Sequence, residues 1–249
     1  MSDKLKKLHN ENRQNASEVF SDYAPYYDLL YRDKDYKAEA EYVANLIREF
    51  NPEAQNILEL GSGTGIHASL LSRMGFSVHG IERSREMYTR SLALSDKQNS
   101  KYGRLTFTQG DIREIRLDKS FDAVIALFHV ISYQTTNKDL LDTFATASHH
   151  LKPGGIFIFD IWYGPAVLTQ RPEVRIKRMS DEIIEVTRLA EPVLHPSENR
   201  VDVNYHIFVR DRSTGTVKEL KETHKMRYFF KPEIELMATI NGLQIQKAE

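Results

Sequence analysis

The sequence predicts an α/β fold, a doubly wound and mostly parallel sheet with a small antiparallel sheet inserted after strand five. Three observations predict it. Short apolar runs alternate with helical patterns between residues 51 and 165, a glycine-rich turn joins the first run directly to a helix, and after about residue 165 the alternation gives way to long strand-like stretches.

Residues 1 to about 20 are polar and lack a sustained period, which predicts that about the first dozen form a mobile or docking arm. The segment FSDYAPYYDLLYRDKDY carries Phe20, Tyr23, Tyr26, Tyr27, Tyr31 and Tyr36, rings expected to close one end of the core. Tyr36, Ala40, Val43, Leu46, Ile47 and Phe50 recur at helical spacing, and Asn51-Pro52 stops that helix. NILEL (56–60), SVHGIE (77–82), RLTFTQ (104–109), FDAVIALF (121–128) and GIFIFDI (155–161) are short, apolar and rich in β-branched or aromatic residues, as buried parallel strands are. Helical patterns around Leu70–Met74, Met87–Ser95 and Leu140–Leu151 separate them.

Beyond residue 165, EIIEVTRLAEPVL, NRVDVNYHIFVRD and TVKELKETHKMRYFF read as antiparallel strands joined by turns at 195–199 and 211–215. They are expected to expose Ile207 and Val209 as a homodimer surface or a lid. Pro232 opens a return helix and Asn241-Gly242 closes it, leaving LQIQKAE for one last core strand. The chain thus divides into an N-terminal arm and covering helices (1–50), a ligand-binding core (51–165), an inserted sheet for the acceptor or a dimer (166–230) and a return helix with a final strand (231–249).

Among 249 residues, 34 Lys and Arg balance 35 Asp and Glu, a net charge of -1 that gives no electrostatic argument for a nucleic-acid or membrane partner. The absence of cysteine excludes disulfides, thiolate zinc sites and a cysteine nucleophile, and no metal site is expected. The longest clean apolar run, Ala123 to Phe128, is far short of the roughly 20 residues of a membrane helix, and the charged N-terminus lacks the apolar middle of a secretory signal. A cytoplasmic protein is expected.

NILEL runs into Gly61-Ser62-Gly63-Thr64-Gly65, where glycines let the chain turn sharply and let a ligand approach bare peptide beside a helix N-terminus. The second strand ends in Glu82, 21 residues after Gly61, where a carboxylate can accept both ribose hydroxyls. A dinucleotide fingerprint needs its third glycine at the position held by Ile66, which counts against nicotinamide and flavin. Asp111 stands at the end of the third strand, where an acceptor for an exocyclic amine belongs.

Together, Glu59-Leu60-Gly61-Ser62-Gly63-Thr64-Gly65, Glu82, Gly110-Asp111-Ile112 and Leu151-Lys152-Pro153-Gly154-Gly155 resemble the motif set of Rossmann-like class I S-adenosylmethionine-dependent methyltransferases. The resemblance implies that the glycine turn receives the methionine part of S-adenosyl-L-methionine, Glu82 the ribose, and Asp111 with Ile112 the adenine. Arg83, Met87, Leu127 and Phe128 are expected beside them. Folds of this class have seven strands, so a final segment long enough for one predicts a gene continuing past Glu249.

A narrower resemblance, to sugar-nucleotide N-methyltransferases that dimethylate amino-deoxysugars, lies in Tyr27-Asp28-Leu29, Lys34-Asp35-Tyr36, Gly65-Ile66-His67, the end of strand four, Asp160-Ile161-Trp162-Tyr163 and Glu222-Thr223-His224. Where that group has a histidine after strand four, this chain has His129 early and Tyr133 in its place. The implied activity is methyl transfer to the amino group of a small, nucleotide-linked amino sugar. Transfer to an oxygen or nitrogen of another metabolite, and an inactive cofactor-binding module, are the competing readings. Tyr133, His129 and His224 are the candidate catalytic residues, with Tyr23, Tyr27, Trp162 and Tyr163 candidates for the acceptor and Arg175 and Arg178 for its diphosphate. His67 is expected to pack the first core helix.

Overall fold

The computed structural model describes residue 20, residues 24–96 and residues 102–249. The expected arm over the first dozen residues, and Tyr23, lie outside the described residues. After a short helix α1 (Ala24–Leu30), α2 (Tyr36–Phe50) begins where the Asp35 carboxylate accepts the Ala38 N–H at 2.9 Å. It buries Ala40, Val43, Ala44 and Ile47 against the main sheet.

The main sheet consists of β1 (Asn56–Leu60), β2 (Ser77–Glu82), β3 (Leu105–Gln109), β4 (Phe121–Ala126) and β5 (Leu151–Phe159), all parallel, in the order β3-β2-β1-β4-β5. Its helices are α3 (Ile66–Arg73), α4 (Arg85–Asp96) and α5 (Asn137–His150), the last capped by Thr136, which accepts the Asp139 N–H at 3.0 Å. Strand order reverses between β1 and β4, so the carboxyl ends of β1, β2 and β4 open a crevice there, where ligands of doubly wound sheets bind.

The second sheet is formed by β6 (Trp162–Tyr163), β7 (Arg175–Ser180), β8 (Ile184–His195), β9 (Arg200–Asp211) and β10 (Val217–Phe229), in the order β6-β10-β9-β8-β7. It is mixed rather than purely antiparallel, because β6 runs parallel to β10, and with five strands it matches the main sheet. A six-residue helix α6 (Gly164–Thr169), β6 and β7 have too little periodicity to be read from sequence.

Two expectations fail here. Ile207 and Val209 are 0% and 5% exposed, because α1 lays Leu30 and the rings of Tyr27 and Tyr31 over that face of the sheet; they offer no dimer surface. After helix α7 (Lys231–Ile240), residues 243–249 form no strand: Leu243 and Ile245 rest on the core as an irregular segment, without a ladder to β5. Among the described residues no helix is long and apolar enough to cross a membrane, and no cluster of metal-ligating side chains occurs.

Candidate active site

One cavity of about 1340 Å³ opens between the carboxyl ends of the main sheet and the inner face of β10. That exceeds the roughly 300–1,000 Å³ of a typical small-ligand pocket and leaves room for a cofactor together with an acceptor.

Its floor is the glycine turn. Gly61 and Gly63 adopt φ of 68° and 56°, the left-handed region that glycine enters without strain, and a Cβ on Gly63 would meet nothing within 4 Å. The Gly63 N–H donates to Glu82 Oε2 at 2.9 Å and the Ser84 N–H to Oε1 at 2.7 Å. Burial raises the Glu82 carboxyl above the usual carboxylate range. Glu59 lies beneath the turn, 2% exposed, with burial pushing its carboxyl up to about 8 and Oε2 without a hydrogen-bond partner. Thr64 Oγ1 donates to Asp28 Oδ1 at 3.0 Å, tying α1 across the turn.

Ser62, Thr64, Arg83, Met87, Asp111, Ile112, Leu127 and Phe128 also line the cavity. Gly65 does not: a Cβ there would stand 2.6 Å from the Phe107 ring, so this glycine serves the close packing of α3 on the sheet. Asp111 is engaged by Arg113, which donates from Nε at 2.9 Å and Nη2 at 2.5 Å. Burial alone would raise the Asp111 carboxyl, but the Arg113 hydrogen bonds hold it low and ionised.

Just past β4, Phe128 and His129 take φ of 63° and 65°, two consecutive non-glycine residues in the left-handed region. The Asp160 carboxylate holds this turn by accepting the His129 N–H at 2.9 Å. His129 Nδ1 is also 2.9 Å from Asp160 Oδ2, in ion-pair range but off the axis of a hydrogen bond. The turn passes into a 3-10 segment, Val130–Tyr133, that aims Tyr133 at β10. There the Tyr133 hydroxyl is 2.7 Å from His224 Nδ1, and His224 Nε2 is 3.2 Å from Glu222 Oε2. Burial lowers the His224 imidazole below its ordinary value, so it is neutral at pH 7.

Of the other sequence-predicted residues, Tyr27 and Trp162 line the cavity. Tyr163, half exposed, is outside its lining, since successive strand residues point to opposite faces. Arg175 and Arg178 are exposed on β7, an edge strand, where charges discourage edge-to-edge pairing; they are outside the cavity as well. His67 is 2.8 Å from Glu39 and edge-on to Tyr36, packed on α3 as expected while also bordering the cavity. Sequence reasoning quoted Glu222 within the Glu222-Thr223-His224 motif but gave it no role, although it shares a strand face with His224 two residues on. It also assigned Phe20, Tyr31 and Tyr36 to the core end, whereas all three line the cavity.

Residues 57–155 match the family described as "Methyltransferase domain". A dTDP-3-amino-3,4,6-trideoxy-alpha-D-glucopyranose N,N-dimethyltransferase of Streptomyces venezuelae is 30% identical over 235 residues, 92% of each chain. The chain belongs to the sugar-nucleotide N-methyltransferase family. A second member, the dTDP-3-amino-3,6-dideoxy-alpha-D-glucopyranose N,N-dimethyltransferase of Streptomyces fradiae, is 27% identical and covers 90% of this chain and 84% of its own. Among solved structures, DesVI of Streptomyces venezuelae superposes with a TM-score of 0.78 at 29% identity, covering 92% of this chain and 93% of that one. The S-adenosylmethionine-bound CalS10 of Micromonospora echinaspora, an amino pentose methyltransferase, gives 0.71 at 25% identity over 90% and 89%.

This member of the family is therefore an S-adenosylmethionine-dependent methyltransferase. Its turn fits that cofactor: the space beside Gly63 is open, and Glu82 and the unpartnered Glu59 oxygen sit at it.

Proposed function

We propose that this chain methylates the amino group of a nucleotide-linked amino-deoxysugar. The observation that carries this reading is the single cavity running from the glycine turn to Trp162 and Tyr133, in a chain matched over 92% of its length by an enzyme named for a dTDP-amino sugar.

S-adenosylmethionine supplies a methyl group already activated on a sulfonium, so the protein's task is to align an acceptor and exclude water. In this reading Glu82 holds the ribose, the Gly61–Gly63 turn the methionine part, and Asp111 with Ile112 the adenine. Tyr27, His129 and Trp162 wall the sugar, and Tyr133 and His224 face its nitrogen. Lys221 and Lys225, exposed on β10 either side of Glu222 and His224, border the cavity where Arg175 and Arg178 do not, and they are the cations proposed for the diphosphate.

The test is turnover of the purified chain with S-adenosylmethionine and a panel of dTDP-linked 3-amino and 4-amino deoxysugars, read as mass gains of one and two methyl groups. Turnover on another amine or on a hydroxyl, with none across the panel, overturns the acceptor assignment.

A further inference from the structure

An amine in this cavity reacts only if its lone pair, and not an N–H, points at the methyl donor. A chain of buried groups can set that orientation. Glu222 Oε2 accepts the Phe20 N–H at 3.1 Å and faces His224 Nε2 at 3.2 Å, which makes Nε2 the protonated nitrogen. A neutral imidazole has one donor and one acceptor nitrogen, so Nδ1 is the acceptor. The Tyr133 hydroxyl, 2.7 Å from Nδ1, then donates its one proton to it, so toward any further partner the Tyr133 oxygen is an acceptor.

The surroundings hold His224 in this form. The rings of Phe20 and Tyr205 cover the imidazole edge-on at 4.9 and 4.6 Å, and Arg188 stacks on Tyr205 at 4.8 Å. Burial and the Arg188 charge disfavour the imidazolium, while Glu222 favours it. Among the described residues, Tyr133, Tyr205, Arg188 and Glu222 are titratable groups facing it.

We propose that Glu222 is a positioning residue: by fixing the His224 tautomer it makes Tyr133 a hydrogen-bond acceptor toward the cavity, and the Tyr133 oxygen receives an N–H of the amine so that the nitrogen lone pair turns to the donor. This rests on the amine-acceptor reading above. It also limits the number of transfers. A neutral primary amine has two N–H groups, its monomethyl product has one and the dimethylamine none, so the orienting contact serves two methylations and is lost for a third.

The test compares wild type, Tyr133→Phe and Glu222→Gln on whichever amine the wild type turns over. Tyr133→Phe should lower kcat about 100-fold, the lower end of what a positioned proton-handling side chain contributes, and Glu222→Gln, which acts through other residues, less, about 10-fold. KM and S-adenosylhomocysteine affinity by calorimetry should stay within about twofold, and monomethyl product should accumulate. Because Glu222 raises the His224 pKa, the acid limb of the kcat profile should move to lower pH in Glu222→Gln. The proposal is overturned if Glu222→Gln keeps kcat, product ratio and acid limb, or if cofactor affinity falls in step with kcat, the mark of a structural role. Wild-type turnover of some other amine would sink only the sugar assignment, since the same variants on that amine still decide Glu222; turnover of hydroxyls alone would sink both.

Discussion

The cavity's two halves are built differently. The half proposed for the cofactor comes from consecutive pieces of chain: the end of β1 turns into α3, and the end of β2, 21 residues on from Gly61, supplies Glu82. At the glycine turn the Gly63 and Ser84 N–H groups both donate to the Glu82 carboxylate, over 19 positions or fewer, and Thr64 adds one bond to Asp28 across 36. The half proposed for the acceptor is joined from remote pieces. Tyr133 meets His224 across 91 positions, and Phe20 meets Glu222 across 202. A site made of backbone and glycine needs a fixed local sequence, whereas a site made of side chains on facing elements can exchange residues.

The largest effect that would break this contrast is Gly63→Val. A Cβ at this position meets nothing within 4 Å among the described residues, and the positive φ costs about 1–2 kcal/mol, so the fold should persist while cofactor affinity drops at least 100-fold by calorimetry. Retained affinity would mean that the cofactor half is not centred on the turn.

Next in size is Glu59→Gln. The Glu59 carboxyl, held near 8 by burial against an ordinary value of 4.5, keeps its proton in the folded chain while the unfolded chain releases it. Its contribution to stability is thus present below pH 4.5 and lost as pH rises from 4.5 to 8, on the order of 3 kcal/mol by pH 7. His79, lowered to about 4, and the lowered His150 and His224 act with opposite sign, since stability falls as pH drops below 6.5 and they take up protons. The informative quantity is therefore the difference between variant and wild type. The variant should unfold at higher temperature at pH 7 and match the wild type near pH 4; a difference that does not grow with pH refutes the buried-acid account.

The smallest effects concern the acceptor's charge partners. Reversing Lys221 and Lys225 to Glu should raise the acceptor KM about 10-fold, consistent with losing two charge-assisted contacts at an exposed mouth. Reversing Arg175 and Arg178, on the far edge strand, should leave it within about twofold. The opposite ranking of KM values would move the diphosphate to β7.

By itself the sequence determined the parallel sheet and the glycine turn between β1 and α3. Apolar runs of β-branched residues have one stable use when helical periods separate them, and the glycines of the turn declare a backbone that side chains cannot follow. Tyr36–Phe50 is legible to the residue because its apolar period and its Asn51-Pro52 stop agree. Tertiary structure alone decided which face of the second sheet is covered, turning Ile207 and Val209 from a surface into the bed of α1. It also decided that basic residues on β7 guard an edge, and that Leu243 and Ile245 pack without a strand. The Glu222–His224–Tyr133 chain belongs to the same class. Alternation along β10 places Glu222 and His224 on one face, but that Tyr133 completes the line depends on how two sheets close over the crevice, a long-range packing that no local pattern encodes.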